Sequence, residues 1–186
     1  SSRLSQVRVA RIIVPLPMTG DWAPGGVMRV AATLAEEIIN TQQRILPGIN
    51  IKAEFFDDKC NDREGMRKLL KRVTSNSSWV GLGGMSCSEV CASTAIVASS
   101  VKLPAVSYGC SASYLSDQTM YPGFKRMGTV LTDDAARVIL ALKRRYNWGT
   151  IVVYSLAGTI TQEPGEVIQA LDELGVSTHW ETATSG

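Results

Sequence analysis

At 186 residues, 45% of them hydrophobic and 19% charged, the chain is long enough to bury a substantial core and too apolar to be a disordered tail. A net charge of +2 gives no electrostatic basis for binding nucleic acid or an anionic membrane, and no apolar run is long enough to span a bilayer. Lys143, Arg144 and Arg145 end a predicted helix, where cations complement the helix dipole and stay solvated.

The chain opens at Ser1 without a charged leader and apolar core, as a mature or trimmed sequence would. Val7 to Val14 is rich in β-branched residues and halts at Pro15 and Pro17, which predicts a first strand. The loop PLPMTGDWAPGG follows. From Val27 the apolar residues Val30, Ala31, Leu34, Ala35, Ile38 and Ile39 recur at helical spacing, and Pro47-Gly48 marks the return loop. Ile49 to Phe56 reads as a second strand, and a polar turn with Cys60 leads to a helix bearing Met66, Leu69, Leu70 and Val73. Trp79 to Gly84 is a third, short apolar strand ending in glycines. Ser88 then opens a helix with Val90, Ala95, Ile96 and Val97, and Leu103 to Tyr108 is the fourth strand.

Beyond Tyr121-Pro122 the pattern restarts. Phe124 to Met127 is a short extended segment, and Thr132 caps a helix with Ala135, Ala136, Ile139 and Leu142 inward. Gly149 to Tyr154 is a strand, Pro164 to Leu174 a helix ended by Gly175, and Val176 to Thr182 a further strand. Strand–helix alternation calls for right-handed crossovers and parallel pairing. The fold class is therefore α/β: a doubly wound, mainly parallel sheet over residues 1–122, with the start of a second α/β lobe over 123–186.

The third and fourth strands each end in a loop of small hydroxyl and thiol residues: Ser86, Cys87 and Ser88 in one, Cys110, Ser111 and Ser113 in the other. Parallel neighbours open both loops on the same edge. Backbone N–H groups and a helix N-terminus meet there with little side-chain bulk, a setting that suits a small anion. Trp22, in the loop after the first strand, can add a flat apolar wall.

Catalytic signals are missing. The first strand-to-helix turn carries neither GxGxxG nor GxxxxGK, and Gly81, Gly83 and Gly84 do not supply them. The stretch Gly84-Met85-Ser86-Cys87-Ser88 lacks the second glycine of a hydrolase elbow. Asp57 and Asp58, adjacent in an extended turn, point apart and read as solvated turn acids. Cys87 and Cys91 are spaced by four, but no second pair stands near them and His179 is the single histidine, so neither a metal nor a cofactor is expected. Four cysteines, at 60, 87, 91 and 110, permit three pairings. Together with the glycosylation sequon Asn76-Ser77-Ser78 they lean toward an oxidising, extracellular setting.

The segments PLPMTGDWAPGG, ILPGINIKAEFFDDKCND, GLGGMSCSEV and LPAVSYGCSASYLSDQTMYPGFKRMG, followed by a helix and YNWGTIVVYS, cover nearly the whole chain. In that order they resemble the ligand-binding domain of the type I periplasmic-binding-protein superfamily, the Venus-flytrap module of class C G-protein-coupled receptors and receptor guanylate cyclases. Within it the chain is most similar to the GABA type B branch. The resemblance implies a bilobed module closing on a ligand between its lobes, with a disulfide between Cys60 and Cys87 and, with it, one between Cys91 and Cys110. It also implies that a ligand carboxylate is held by a serine and backbone N–H groups at the positions of Ser88, Gly109 and Ser111, with Trp22 beside them. Two departures stand out: Cys110 and Ala112 interrupt the serine run of the second loop, and the histidine that the GABA branch carries shortly after it is replaced near Gly128.

The function so implied is that of an extracellular sensor domain of a cell-surface receptor. It is a binding module and not an enzyme, taking an amino acid or similar small ligand and forming a homo- or heterodimer through its first lobe, with membrane attachment only through segments outside this chain. Two alternatives stand beside it: a receptor guanylate cyclase ectodomain with a peptide ligand or vestigial cleft, and a structural or assembly protein that keeps half of the fold.

Overall fold

The computed structural model describes residues 8–20, 22–76, 78–156 and 163–183. Val7, Asp21 and Ser77 of the segments above lie outside the described residues. The chain divides into two compact units, one of residues up to Cys110 together with Leu115–Gly128, the other of Ser111–Tyr114 and Thr129 onward.

The first unit is a five-stranded parallel sheet in the order β2-β1-β3-β4-β5, built from β1 (Arg8–Leu16), β2 (Ile49–Asp57), β3 (Trp79–Gly83), β4 (Ala105–Ser107) and β5 (Phe124–Arg126). Helices α1 (Gly25–Gln42), α2 (Asp62–Ser75) and α3 (Ser88–Ser100) provide the crossovers, as parallel neighbours require. Ile13, Leu16, Leu69, Leu82, Met85, Val90, Leu115 and Phe124 are almost fully buried and form its core. The mainly parallel α/β architecture expected from strand–helix alternation is the one observed.

The first strand runs through Pro15 to Leu16 instead of halting at the proline. Its ladder with β3 has already ended at Ile13↔Leu82, and the Pro15 carbonyl faces Gly84 beyond that end, so the missing N–H interrupts no bond there. β5 pairs in register with β4, Ala105↔Phe124 to Ser107↔Arg126, so this segment completes the first sheet and the compact units part after Gly128.

Helix α1 sits differently from what its pattern implies. Its side chains reach the outer edge of β2, the terminal strand: Glu36 accepts the Ala53 N–H at 2.8 Å, while Asn40 accepts the Ile51 N–H at 2.7 Å and donates to the Ile51 carbonyl at 2.8 Å. An exposed strand edge is a template for unwanted pairing, and α1 closes it with two polar side chains. The periodic apolar row is thereby turned outward, with Val27 78%, Val30 69%, Leu34 54% and Ile38 42% exposed.

The second unit holds β6 (Ile151–Leu156) and β7 (Thr178–Ala183), paired in parallel, with α4 (Leu131–Tyr146) and α5 (Glu163–Glu173). Ala136, Leu171 and Val176 form its core, with Ile139, Leu140, Ile151, Val167 and Ala170 packed against them. Leu142, expected inward, is 38% exposed. Thr132 does not cap α4: Val130 holds that position, and Thr132 lies buried in the first turn without a hydrogen-bond partner for its hydroxyl.

Candidate functional site: the loop edge of the first sheet

All five strands of the first unit point the same way, so the loops after β1, β3 and β4 open side by side at their C-terminal edge. Each is shaped by local constraints. After β1, the Gly25 N–H donates to the Pro17 carbonyl at 2.8 Å, a closure so tight that a Cβ on Gly25 would lie 2.5 Å from that oxygen. Asp57, at the end of β2, accepts the N–H groups of Met18 (2.8 Å) and Thr19 (3.2 Å) and the Thr19 hydroxyl (2.5 Å), pinning the loop to the neighbouring strand. Trp22 projects from this loop, 43% exposed.

After β3 the chain turns at Gly84, whose φ of +87° disfavours a side chain and where a Cβ would lie 2.5 Å from the Val14 side chain. Met85 and Ser86 are buried, Cys87 is the N-cap residue of α3, and Ser88 is its first helical residue. The helix thus opens at Ser88, as the pattern predicts. Cys87 makes no side-chain cap bond because its sulfur is in a disulfide, leaving the first N–H groups of α3 to other partners.

After β4 the organiser is Ser107, fully buried. Its hydroxyl donates to the Met85 carbonyl at 2.8 Å and accepts the N–H groups of Gly109 (3.1 Å) and Cys110 (2.9 Å). One side chain thus shapes the second loop and ties it to the first. Gly109 completes the contact: a Cβ there would stand 3.2 Å from the Ser86 Cα and carbonyl oxygen. Two disulfides reinforce this edge, Cys60–Cys87 with Cα atoms 5.6 Å apart and Cys91–Cys110 with 6.4 Å.

The sequence-predicted residues divide as follows. Trp22, Ser88 and Gly109 belong to the first unit and lie in its three adjacent loops; Ser111 belongs to the second unit. There Ser113 donates from its N–H and its hydroxyl to Glu166 of α5, each at 3.1 Å. Asn76 lies at the opposite, N-terminal edge of the first sheet, at the end of α2.

Two residues, Ser107 and Tyr108, were not singled out, and a third, Asp58, differs from its expected setting. Ser107 carries no signal in the sequence beyond a serine in an apolar strand. Tyr108, next to the glycine of the second loop, flanks an apolar hollow of about 250 Å³ together with Leu16, Met28, Ala31 and Gly84. Burial pushes its phenol above the ordinary value, the Ser86 hydroxyl opposes that, and the charge of Asp58 adds to it. Asp58 itself, read as solvated, is fully buried: Oδ1 accepts the Cys60 N–H at 2.8 Å and Oδ2 has no partner. Burial pushes its pKa up to about 6, against the Cys60 hydrogen bond and with help from the Asp57 charge. Asp57 goes the other way; burial raises it, but the hydrogen bonds from Thr19, Lys59 and Met18 together outweigh that and lower its pKa.

Among the described residues no group of histidine, cysteine and acidic side chains is arranged to hold a metal ion, and no helix is long and apolar enough to cross a membrane. What the edge offers is a rigid pair of loops, a helix start and an exposed indole.

Residues 27–171 match the family described as the receptor family ligand binding region. The chain belongs to this family. It is 29% identical over 171 residues, 91% of its length, to gamma-aminobutyric acid type B receptor subunit 1 of Mus musculus and of Rattus norvegicus, and it spans 17% of those proteins. It is also 29% identical over 119 residues, 61% of the chain and 10% of the relative, to the speract receptor of Strongylocentrotus purpuratus. The chain thus spans about a sixth or less of the length of the curated relatives it matches, and the part it spans is receptor ligand-binding region.

Proposed function

We propose that this chain is part of the extracellular sensor domain of a cell-surface receptor and captures the carboxylate of an amino acid or similar small ligand at the loop edge of its first sheet. The observation that carries the proposal is the clamping of the loops after β3 and β4 by Ser107, by the Gly109–Ser86 approach and by the Cys91–Cys110 disulfide. A site for a small anion needs donors held in place before the ligand arrives, and this edge is rigid beside the start of α3. The Ser88 hydroxyl and the first N–H groups of α3 are the proposed carboxylate donors of the first unit. Trp22 is the apolar wall. Gly109, whose N–H is already given to Ser107, contributes the close approach of the two loops. The module binds and does not catalyse. Closure of a second lobe over the ligand, and dimerisation through the first lobe, complete the proposal: ligand shifts an open–closed equilibrium by its difference in affinity for the two states.

The test is titration calorimetry of the complete extracellular portion with a panel of amino acids. Binding by at least one of them, weakened about tenfold or more by Ser88→Ala through loss of one charge-assisted hydrogen bond, is the supporting outcome. The match to the speract receptor, a relative named for a different ligand, favours one second reading, in which a peptide binds outside the cleft. Absence of binding across the panel would favour it.

A further inference from the structure

We propose that Asn76 carries an N-linked glycan, which keeps the N-terminal edge of the first sheet in solvent. The sequence Asn76-Ser77-Ser78 is the single Asn-x-Ser/Thr stretch in the chain, and its asparagine is partly exposed at the end of α2. Asn76 closes α2: its backbone is extended, φ −153° and ψ 131°, and its N–H donates to the Arg72 carbonyl at 3.1 Å. Its Oδ1 accepts the Ser78 N–H at 2.8 Å.

The surroundings are fixed by other groups. The Trp79 indole N–H donates to the Arg72 carbonyl at 3.1 Å, Arg11 donates to the exposed Ser78 hydroxyl at 3.0 Å, and the Arg11 guanidinium lies 4.3 Å from the centre of the Trp79 ring. All of these contacts use backbone groups, Oδ1 or neighbouring side chains. A substituent on the Asn76 Nδ2 displaces none of them. The two disulfides are an independent second observation, since they belong to an oxidising secretory compartment, the one in which such glycans are added.

The chemistry is transfer from a lipid-diphosphate-linked oligosaccharide. Nδ2 forms a bond to the anomeric carbon of the first sugar, the bond from that carbon to the diphosphate oxygen breaks, the lipid diphosphate leaves as the anion and Nδ2 gives up one proton. Asn76 lies between the end of α2 and the start of β3, so the glycan stands at the opposite end of the strands from Trp22, Ser88 and Gly109. Ligand access is left open. The same bulk excludes any protein partner that would have to bury the edge at Asn76 and Ser78.

The experiment is expression of the chain through the secretory pathway of a eukaryotic cell, followed by peptide-N-glycosidase digestion and peptide mass mapping. One mobility step is expected before digestion, and afterwards aspartate at position 76. Asn76→Gln and Ser78→Ala should each lose that step, while Ser78→Thr should keep it. Intact Cys60–Cys87 and Cys91–Cys110 linkages in the variants, read by non-reducing mapping, show that the loss is not misfolding. Secreted, disulfide-bonded wild-type protein with unmodified asparagine at 76 would overturn the proposal, as would a step that persists in Asn76→Gln. Either result leaves the carboxylate site untouched, because the ligand measurement does not depend on the glycan.

Discussion

Three hydrogen bonds converge on the hydroxyl of Ser107, and each joins a backbone group that a loop would otherwise leave unsatisfied in the interior. Ser107→Ala should cost roughly 1–3 kcal/mol, the penalty of stranding buried polar groups, seen as a lower urea midpoint with an unchanged slope. Asp58 gives a pH signature. Its folded pKa of about 6 lies above its ordinary 3.8, so the folded state holds the proton more tightly. The stability this contributes is complete below about 3.8 and lost as pH rises through 6, an effect of roughly 2–3 kcal/mol by linkage. Asp57, with a lowered pKa, acts oppositely and in a lower window: its contribution is present above 3.8 and disappears as pH falls through its folded value. Chemical denaturation between pH 4 and 7 should therefore show wild type weakening, and Asp58→Asn flatter and more stable at pH 7. Parallel curves for the two proteins would contradict the assignment. Neither residue was legible beforehand. A serine in a strand and an acid in a turn have the same local sequence whether buried or wet, and what lies against them comes from elsewhere in the chain: the Met85 carbonyl at Ser107 and Gly65 of α2 beside Asp58.

At the scale of elements, the strand–helix order was readable because β-branched runs, glycine turns and helical periodicity agree along the chain. Placement was less so. Periodicity says that α1 has an apolar face but not what lies against it, and Glu36 and Asn40, polar residues on the other face, turn out to hold it to β2. Val30→Ser and Leu34→Ser should thus change unfolding stability of this chain by no more than about 0.5 kcal/mol, as solvent-exposed substitutions do. Asn40→Ala should cost about 1–3 kcal/mol by freeing both Ile51 backbone groups. The short segment Phe124–Arg126 was likewise readable as extended, but its partner, β4, is set by pairing and not by its own three residues. Joint replacement of Cys60 and Cys87 by serine should lower stability by about 2–4 kcal/mol in thermal or urea unfolding, the usual effect of removing a native disulfide.

At the scale of the molecule, membership of the receptor ligand-binding family and the loop edge of the first sheet lead to one claim, that a carboxylate is held beside the start of α3. That the loops carrying Trp22 and Ser88 share an edge was readable because loops that follow adjacent parallel strands do so whatever their detailed shape, whereas Gly109 entered only through the resemblance to the Venus-flytrap family. That the Gly109 N–H is spent on Ser107 was not readable, since it depends on a hydroxyl two residues earlier pointing into the same turn. The most direct test is a calorimetric cycle on the complete extracellular portion, comparing wild type with Ser88→Ala, each titrated with the tightest-binding amino acid of the panel and with its carboxamide analogue. The account predicts that Ser88→Ala weakens the amino acid about tenfold or more and changes the amide little, so that the serine and the carboxylate are coupled. Equal losses for acid and amide, or no loss for either, would contradict it.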